Sequence, residues 1–278
     1  MKVLNKEILA DNQGVKVVKL TFYSPDIAAK AKPGQFVVLM VKEEGERIPL
    51  TVVQAEPKEG TLVLIAQEAG LTTRLLAGIK AGDSLYSLVG PLGYPTEIKK
   101  YGNVVLVGGG VGIAEIYPVA KAMRDAGNHI TAILGARSKD LLILERELKS
   151  VSDDCIIMTD DGSYGRKGFV TEALKELLEK SKYGLVYAVG PIPMMKAVSN
   201  VTKSFGVPTL VSLNAIMVDG TGMCGCCRVS VGGKVKFSCV DGPEFDAGLV
   251  DWQELTSRNS VYTEKEKHIC RLSIEQNK

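Results

Sequence analysis

The stretch Asn103-Val-Val-Leu-Val-Gly108-Gly109-Gly110-Val-Gly112-Ile113-Ala114 decides how this chain reads: a short apolar run, a turn crowded with glycine, then an amphipathic segment that continues to Ala126. An apolar run that enters a glycine turn and leaves as a helix is the start of an α/β unit. The turn admits two readings. Bare glycine amides and the helix N-terminus can face a pyrophosphate, or the glycines only let strand and helix pack closely. The third glycine position of the dinucleotide fingerprint holds Ile113. Downstream the rhythm repeats. Apolar runs at His129–Leu134, Cys155–Met158 and Leu185–Val189 alternate with amphipathic segments at Leu141–Val151 and Thr171–Lys180, which predicts a parallel sheet. The second strand ends Gly135-Ala136-Arg137, without the acid that would hold a ribose; Asp140 stands further on.

Upstream, as far as about Thr96, the β-rich runs Val15–Phe22, Gln35–Val41 and Thr61–Ala66 are broken by Gly, Pro and charged turns, the pattern of a small antiparallel barrel. Arg47-Ile-Pro49-Leu50-Thr51 lies in this region, and Gly70-Leu-Thr72-Thr73 opens a helix. An Arg can neutralise a diphosphate and a Thr hydroxyl can reach a flavin edge. A solvated edge charge at Arg47 and a helix cap at Thr73 are the ordinary alternatives. The 278 residues suit two domains with a small appendage, with expected bounds 1–98, 99–212 and 213–278. Lys plus Arg at 34 against Asp plus Glu at 32, with no basic run, argues against a nucleic-acid partner. No apolar stretch reaches the roughly 18 residues a bilayer requires, and the first residues lack a signal-peptide core, so the expectation is a cytoplasmic protein that does not meet a membrane. His129, His268, Cys155 and Cys270 stand alone and read as packing or surface residues.

The other four of the six cysteines crowd near the C-terminus, which in a reducing compartment points to a metal site rather than to disulfides. Asp219-Gly-Thr-Gly-Met-Cys224-Gly-Cys226-Cys227, followed by Cys239, has the spacing D-x4-C-x2-C-x11-C. The plant-type 2Fe-2S arrangement is C-x4-C-x2-C with a distant fourth Cys, so only the first ligand differs. A loop wrapping such a cluster needs small residues for close approach, and Gly220, Gly222 and Gly225 supply them. A carboxylate can ligate iron, although softness favours thiolate. The spacing favours Asp219, Cys224, Cys227 and Cys239. An acidic turn at Asp219 with Cys226 as ligand, or a Cys-rich zinc knot, are the alternatives.

Taken together, Pro33-Gly34-Gln35-Phe36, Arg47-x-Pro-Leu-Thr51, Gly70-x-x-Thr73-x-x-Leu76, Gly90-Pro91-Leu92-Gly93, the Gly108–Ala114 turn and Val189-Gly190-Pro191-x-x-Met194 resemble the ferredoxin-NADP reductase-like flavoproteins. With the cluster motif and Cys239-Val-Asp-Gly242-Pro243-x-Phe245, the resemblance narrows to the electron-transfer subunits of dihydroorotate dehydrogenase and their relatives. The Asp at the first cluster position, where dihydroorotate-linked subunits usually present Cys, is similar to the small subunits of the electron-bifurcating NADH-dependent reduced ferredoxin:NADP oxidoreductases.

This resemblance implies an antiparallel β-barrel FAD domain, an α/β parallel-sheet nucleotide domain and a small C-terminal iron-sulfur domain. It implies FAD held by Arg47, Pro49, Leu50, Thr51, Ile65, Ala66, Gly70, Thr72 and Thr73. NAD(H) would meet Gly109, Gly110, Gly112, Arg137, Gly190, Pro191 and Met194. No side chain is expected to act as a catalytic group, and Val189 stands where many relatives place Cys. NAD(H) is expected over NADP(H), although Arg137 could pair with a 2'-phosphate. The implied function is hydride exchange with NAD(H) through FAD and single-electron exchange through the cluster with a larger flavin iron-sulfur subunit, in a heterodimer. The alternatives are a subunit of an NAD-linked dihydroorotate dehydrogenase or sulfide dehydrogenase-type complex, and a zinc-bearing scaffold.

Overall fold

The computed structural model describes residues 1–12, 14–266 and 268–269; Cys270 lies outside them. Six strands, β1 (Val3–Asn12), β2 (Val15–Tyr23), β3 (Phe36–Met40), β4 (Ile48–Glu56), β5 (Thr61–Gln67) and β6 (Ser87–Leu92), form an antiparallel sheet in the order β1-β2-β5-β4-β3-β6. Its ends nearly meet, since Lys2 bridges Ser84 and the Val3 amide donates to Asp83 O at 2.8 Å, so the sheet curls into a barrel. Leu20, Phe22, Val37, Leu39, Leu62 and Leu64 fill the inside, joined by Ile27 of α1 (Pro25–Ala28) and Leu76 of α2 (Leu71–Gly78). The three apolar runs legible in the sequence are β2, β3 and β5.

The nucleotide half contains β7 (Asn103–Gly109), α3 (Gly112–Asp125), β8 (His129–Ala136), α4 (Glu145–Val151), β9 (Asp154–Thr159), β10 (Arg166–Lys167), α5 (Val170–Lys180), β11 (Leu185–Val189), α6 (Ile192–Phe205) and β12 (Thr209–Ser212). Its strands run parallel in the order β10-β9-β8-β7-β11-β12. Both faces are covered, and β7 shows why it reads as a continuous apolar run. Val104 and Leu106 face α3 and α4, while Val105 and Val107 face α5 and α6. Strand order reverses between β7 and β11, where doubly wound sheets bind ligands at their carboxyl ends.

Helix α3 joins the two halves. Its Ile113, Ile116 and Val119 share one buried cluster with Val104 and Leu106 on one side and with Val17, Val53 and Ile65 of the barrel on the other. After β12 the chain forms a hairpin of β13 (Arg228–Val231) and β14 (Lys234–Phe237), then returns as β15 (Glu244–Asp246) to pair antiparallel with β12, and ends its named elements with α7 (Trp252–Ser260). The last strand of the large sheet thus comes from the cysteine-rich segment. Among the described residues, no helix is long and apolar enough to cross a membrane.

Candidate functional site

A cleft of about 910 Å³ opens between barrel and parallel sheet at the switch point. Pro49, Leu50, Thr51, Ile65 and Ala66 form its barrel wall; Gly109, Gly110, Gly112 and Arg137 line it from β7, α3 and β8; Gly190, Pro191 and Met194 close it from β11 and α6. Twelve of the sixteen residues expected at the organic cofactors therefore converge on one space. The other four, Arg47, Gly70, Thr72 and Thr73, lie beside it. The Thr73 hydroxyl accepts from the amides of Ala69 (2.8 Å) and Gly70 (2.9 Å), which is the cap reading of this residue. Thr72 donates to Glu46 at 2.7 Å. Arg47 Nη2 donates to the Asp219 carbonyl at 3.3 Å, while its Nε is buried with no hydrogen-bond partner among the described residues.

The glycine turn leaves room for both of its sequence readings, at different positions. A Cβ on Gly108 would sit 2.8 Å from Ile113 Cα, and one on Gly112 would sit 2.7 Å from the Val189 carbonyl carbon. Gly108 thus lets α3 pack back against the end of β7, and Gly112 lets α3 cross the end of β11. Gly110, by contrast, has φ +58° and nothing within 4 Å of an added Cβ, so its backbone faces open cleft. Overpacking a tight backbone crossing costs about 1–3 kcal/mol. Gly112→Ala should lower stability by that order in denaturant unfolding, whereas a side chain at Gly110 should strain the backbone with no clash.

Three cleft residues were not anticipated from the sequence. Glu115, in the first turn of α3, accepts a hydrogen bond from the Thr51 hydroxyl at 3.0 Å, tying the two cleft walls together. Burial pushes its carboxyl up to about 7, against the opposing pull of the Thr51 hydroxyl. Asp160, at the end of β9, lines the cleft with Arg137, and its amide donates to Ala136 O at 3.1 Å. Phe169, largely exposed, stands at the mouth. The signal for Glu115 was a lone acid among the apolar residues that open α3; that for Asp160 was the acidic pair ending the third strand.

The cysteine-rich loop abuts the barrel, where a Cβ on Gly220 would meet Val38 and Leu92. The hairpin β13–β14 turns at Gly232-Gly233, both at positive φ, as a two-residue hairpin turn requires. Its two ends therefore lie side by side, which accounts for the x11 spacing: Ser238 N donates to Cys227 O at 3.0 Å, and the buried Cys227 and Cys239 sulfurs stand 3.2 Å apart. Burial pushes the Cys239 thiol up to about 12. Cys224 sits apart from this pair, its thiol held low by the Cys226 and Asp219 amides and hydrogen-bonded to Cys226. Asp219 is held low by the Thr221 hydroxyl and amide. Among the described residues, no three His, Cys, Asp or Glu side chains surround a single point. Cys227 and Cys239 stand as one pair and Cys224 is hydrogen-bonded to Cys226, with the Asp219 backbone beside it, so the thiols gathered here have the donor chemistry of an iron-sulfur cluster.

His129 reaches Asp154 only at 3.9 Å on the surface, and Cys155 is half-buried against the α3 core.

Barrel, switch-point cleft and cysteine loop together define a nucleotide-linked iron-sulfur oxidoreductase of ferredoxin-NADP reductase-like fold. Residues 106–200 match the oxidoreductase NAD-binding domain, and residues 214–251 match the iron-sulfur cluster binding domain of dihydroorotate dehydrogenase B. A dihydroorotate dehydrogenase B (NAD(+)) electron transfer subunit homolog from Thermotoga maritima is 52% identical over 92% of this chain and 93% of its own length. The chain belongs to that family of electron-transfer subunits. A chain solved in work on flavin-based electron bifurcation by the NADH-dependent reduced ferredoxin-NADP oxidoreductase is 49% identical, with a TM-score of 0.92, covering 98% of this chain and 97% of that one. Ferredoxin-NADP+ reductase from Plasmodium falciparum, 15% identical over 73% of this chain and 88% of its own with a TM-score of 0.59, shares the fold alone.

Proposed function

We propose that this chain is the electron-transfer subunit of a bifurcating NADH-dependent ferredoxin:NADP oxidoreductase, exchanging hydride with NAD(H) and single electrons with a larger flavin iron-sulfur subunit in the cytoplasm. The observation that carries this reading is the Arg47–Asp219 contact, which fastens the segment leading into β4, expected to hold flavin, onto the loop expected to hold the cluster. FAD supplies the conversion between a two-electron hydride and single electrons, and the 2Fe-2S cluster takes one electron at a time. Toward these groups, the orphaned Arg47 Nε offers a charged donor to a phosphate, with Gly70, Thr72 and Thr73 alongside. Pro49, Leu50, Thr51, Ile65 and Ala66 form the wall for the flavin ring. Gly110 offers its bare backbone to the dinucleotide, while Gly109, Gly112, Gly190, Pro191 and Met194 hold the two strand ends together beside it. Asp219, Cys224, Cys227 and Cys239 are the cluster ligands. The names of the relatives favour a second reading, a subunit serving an NAD-linked dihydroorotate dehydrogenase, which the identity of the copurifying subunit decides.

The test is the purified chain itself. It should be coloured, contain FAD, iron and acid-labile sulfide, and be reduced by NADH; a colourless, zinc-bearing chain would overturn the reading. Nucleotide choice follows from the far end of the cleft. Arg137 suits a 2'-phosphate, but Asp160 beside it repels one and can accept from a ribose hydroxyl. Kinetics with an artificial acceptor should give the higher kcat/KM for NADH, and Asp160→Ala should narrow that preference by about tenfold, equivalent to about 1.4 kcal/mol. A clear NADPH preference in the unaltered chain would reassign the site to Arg137.

A further inference from the structure

We propose that the Thr51–Glu115 pair is a proton-accepting element of the cleft, with Glu115 binding one proton from water as flavin held there is reduced. The inference rests on the FAD reading above. Thr51 comes from β4 and Glu115 from α3, so their 3.0 Å hydrogen bond spans the joint between the two walls of the cleft, and both residues line it. The carboxyl has no cation to balance it, since among the described residues no Lys, Arg or His forms an ion pair with it.

The surrounding elements explain why. The faces of β7, β8 and α4 toward α3 bring Val104, Leu106, Ile130, Leu134 and Leu148, all apolar. From β11 comes the buried Tyr187 hydroxyl, which feels the Glu115 charge and is committed to Glu244 of β15 at 2.8 Å. Glu244 also accepts from Thr96. Among the described residues, the titratable group that feels Glu115 is thus the Tyr187 phenol, itself held by the Glu244 carboxylate, and neither favours a charged Glu115.

Flavin bound in this cleft would accept a hydride, two electrons and one proton, from NADH, which leaves as NAD+, and would thereby gain one unit of negative charge. A second negative charge beside a carboxylate with no cation to balance it is unfavourable, and it raises the proton affinity of that carboxylate. One proton from water then binds Glu115, so the cleft's net charge is unchanged. Burial already holds this carboxyl near neutrality rather than in the usual carboxylate range. The Thr51 hydroxyl follows: it donates to Glu115 while the acid is ionised, and it is free to donate into the cleft once Glu115 carries the proton.

The experiment is potentiometry of the bound flavin between pH 6 and 9 in the holoprotein, comparing the unaltered chain with Glu115→Gln. Above about pH 7 the unaltered chain should show the steeper slope by one proton per two electrons, a tenfold change in the reduction equilibrium per pH unit or about 30 mV. Glu115→Gln keeps the shape and loses the extra slope; Glu115→Asp, a second variant should the first fail to fold, keeps the slope with a shifted onset. Parallel lines for the unaltered chain and Glu115→Gln, or loss of the slope in a folded Glu115→Asp, overturn the inference while leaving the FAD reading intact. A chain that binds no FAD overturns both.

Discussion

Replacing Asp219 with alanine should leave a chain that keeps its flavin but loses nearly all its iron. With Asp219, Cys224, Cys227 and Cys239 as the proposed ligands, the three remaining cysteines would leave the cluster one protein donor short. Asp219 is suited to the role: the Thr221 hydroxyl and amide hold its carboxyl ionised, and its own backbone is fixed by Arg47. Because alanine also removes the Thr221 contact, Asp219→Asn, which retains an acceptor for that turn, separates ligation from folding. Asp219→Cys should retain the cluster with an altered reduced-state EPR signal, and Cys226→Ala should retain it unaltered. Iron content and EPR of the four variants check the assignment. A normal cluster in Asp219→Ala, with loss in Cys226→Ala, would make Cys226 the ligand.

Arg47→Ala should strip the flavin. The side chain spends one nitrogen on Asp219 O and buries another with no partner, and a buried donor of this kind marks a missing acceptor. A hydrogen bond to a charged group is worth about 1.5–3 kcal/mol, so FAD affinity should fall by about one to two orders of magnitude. Arg47→Lys keeps the charge without the fork and should fall between the two. FAD retained per chain after dilution and gel filtration is the measurement. Full occupancy in Arg47→Ala would make this residue a tether for the cluster loop and nothing more.

Legibility in the sequence followed the range of the interaction that fixes each residue. The β7 turn and the cysteine spacing were readable because their geometry is local: glycines where backbones cross within a few residues, thiols at the ends of a short hairpin. Helix α5 was read as Thr171–Lys180 and is Val170–Lys180 for the same reason. Leu141–Val151 reads as one amphipathic segment, yet its α-helix is Glu145–Val151 alone, because Leu144 takes a left-handed φ of 52° between it and a single 3-10 turn at Lys139–Leu141. What Glu115 meets was not legible, because Thr51 lies on another sheet and reaches it only where the barrel docks against α3. β15 was missed because three residues gain strand character only by pairing with β12.

That last pairing bears on how such a molecule could have been assembled. Ser212 pairs with Glu244, and Leu213 N donates to Pro243 O at 2.9 Å, so the segment from 214 to 242 leaves the sheet and rejoins it at adjacent points. In topological terms the electron carrier is a long excursion within a β12–β15 hairpin. Such an excursion can be gained, or lost for a short turn, without rerouting any other strand, at the expense of the apolar cover over Val38 and Leu92, the Arg47–Asp219 contact and the part of the cleft wall formed by Ala215 and Met217. The cysteine-rich segment is thus, topologically, an insert between the last two strands of the sheet, anchored at its root by the same hydrogen bonds that finish the sheet.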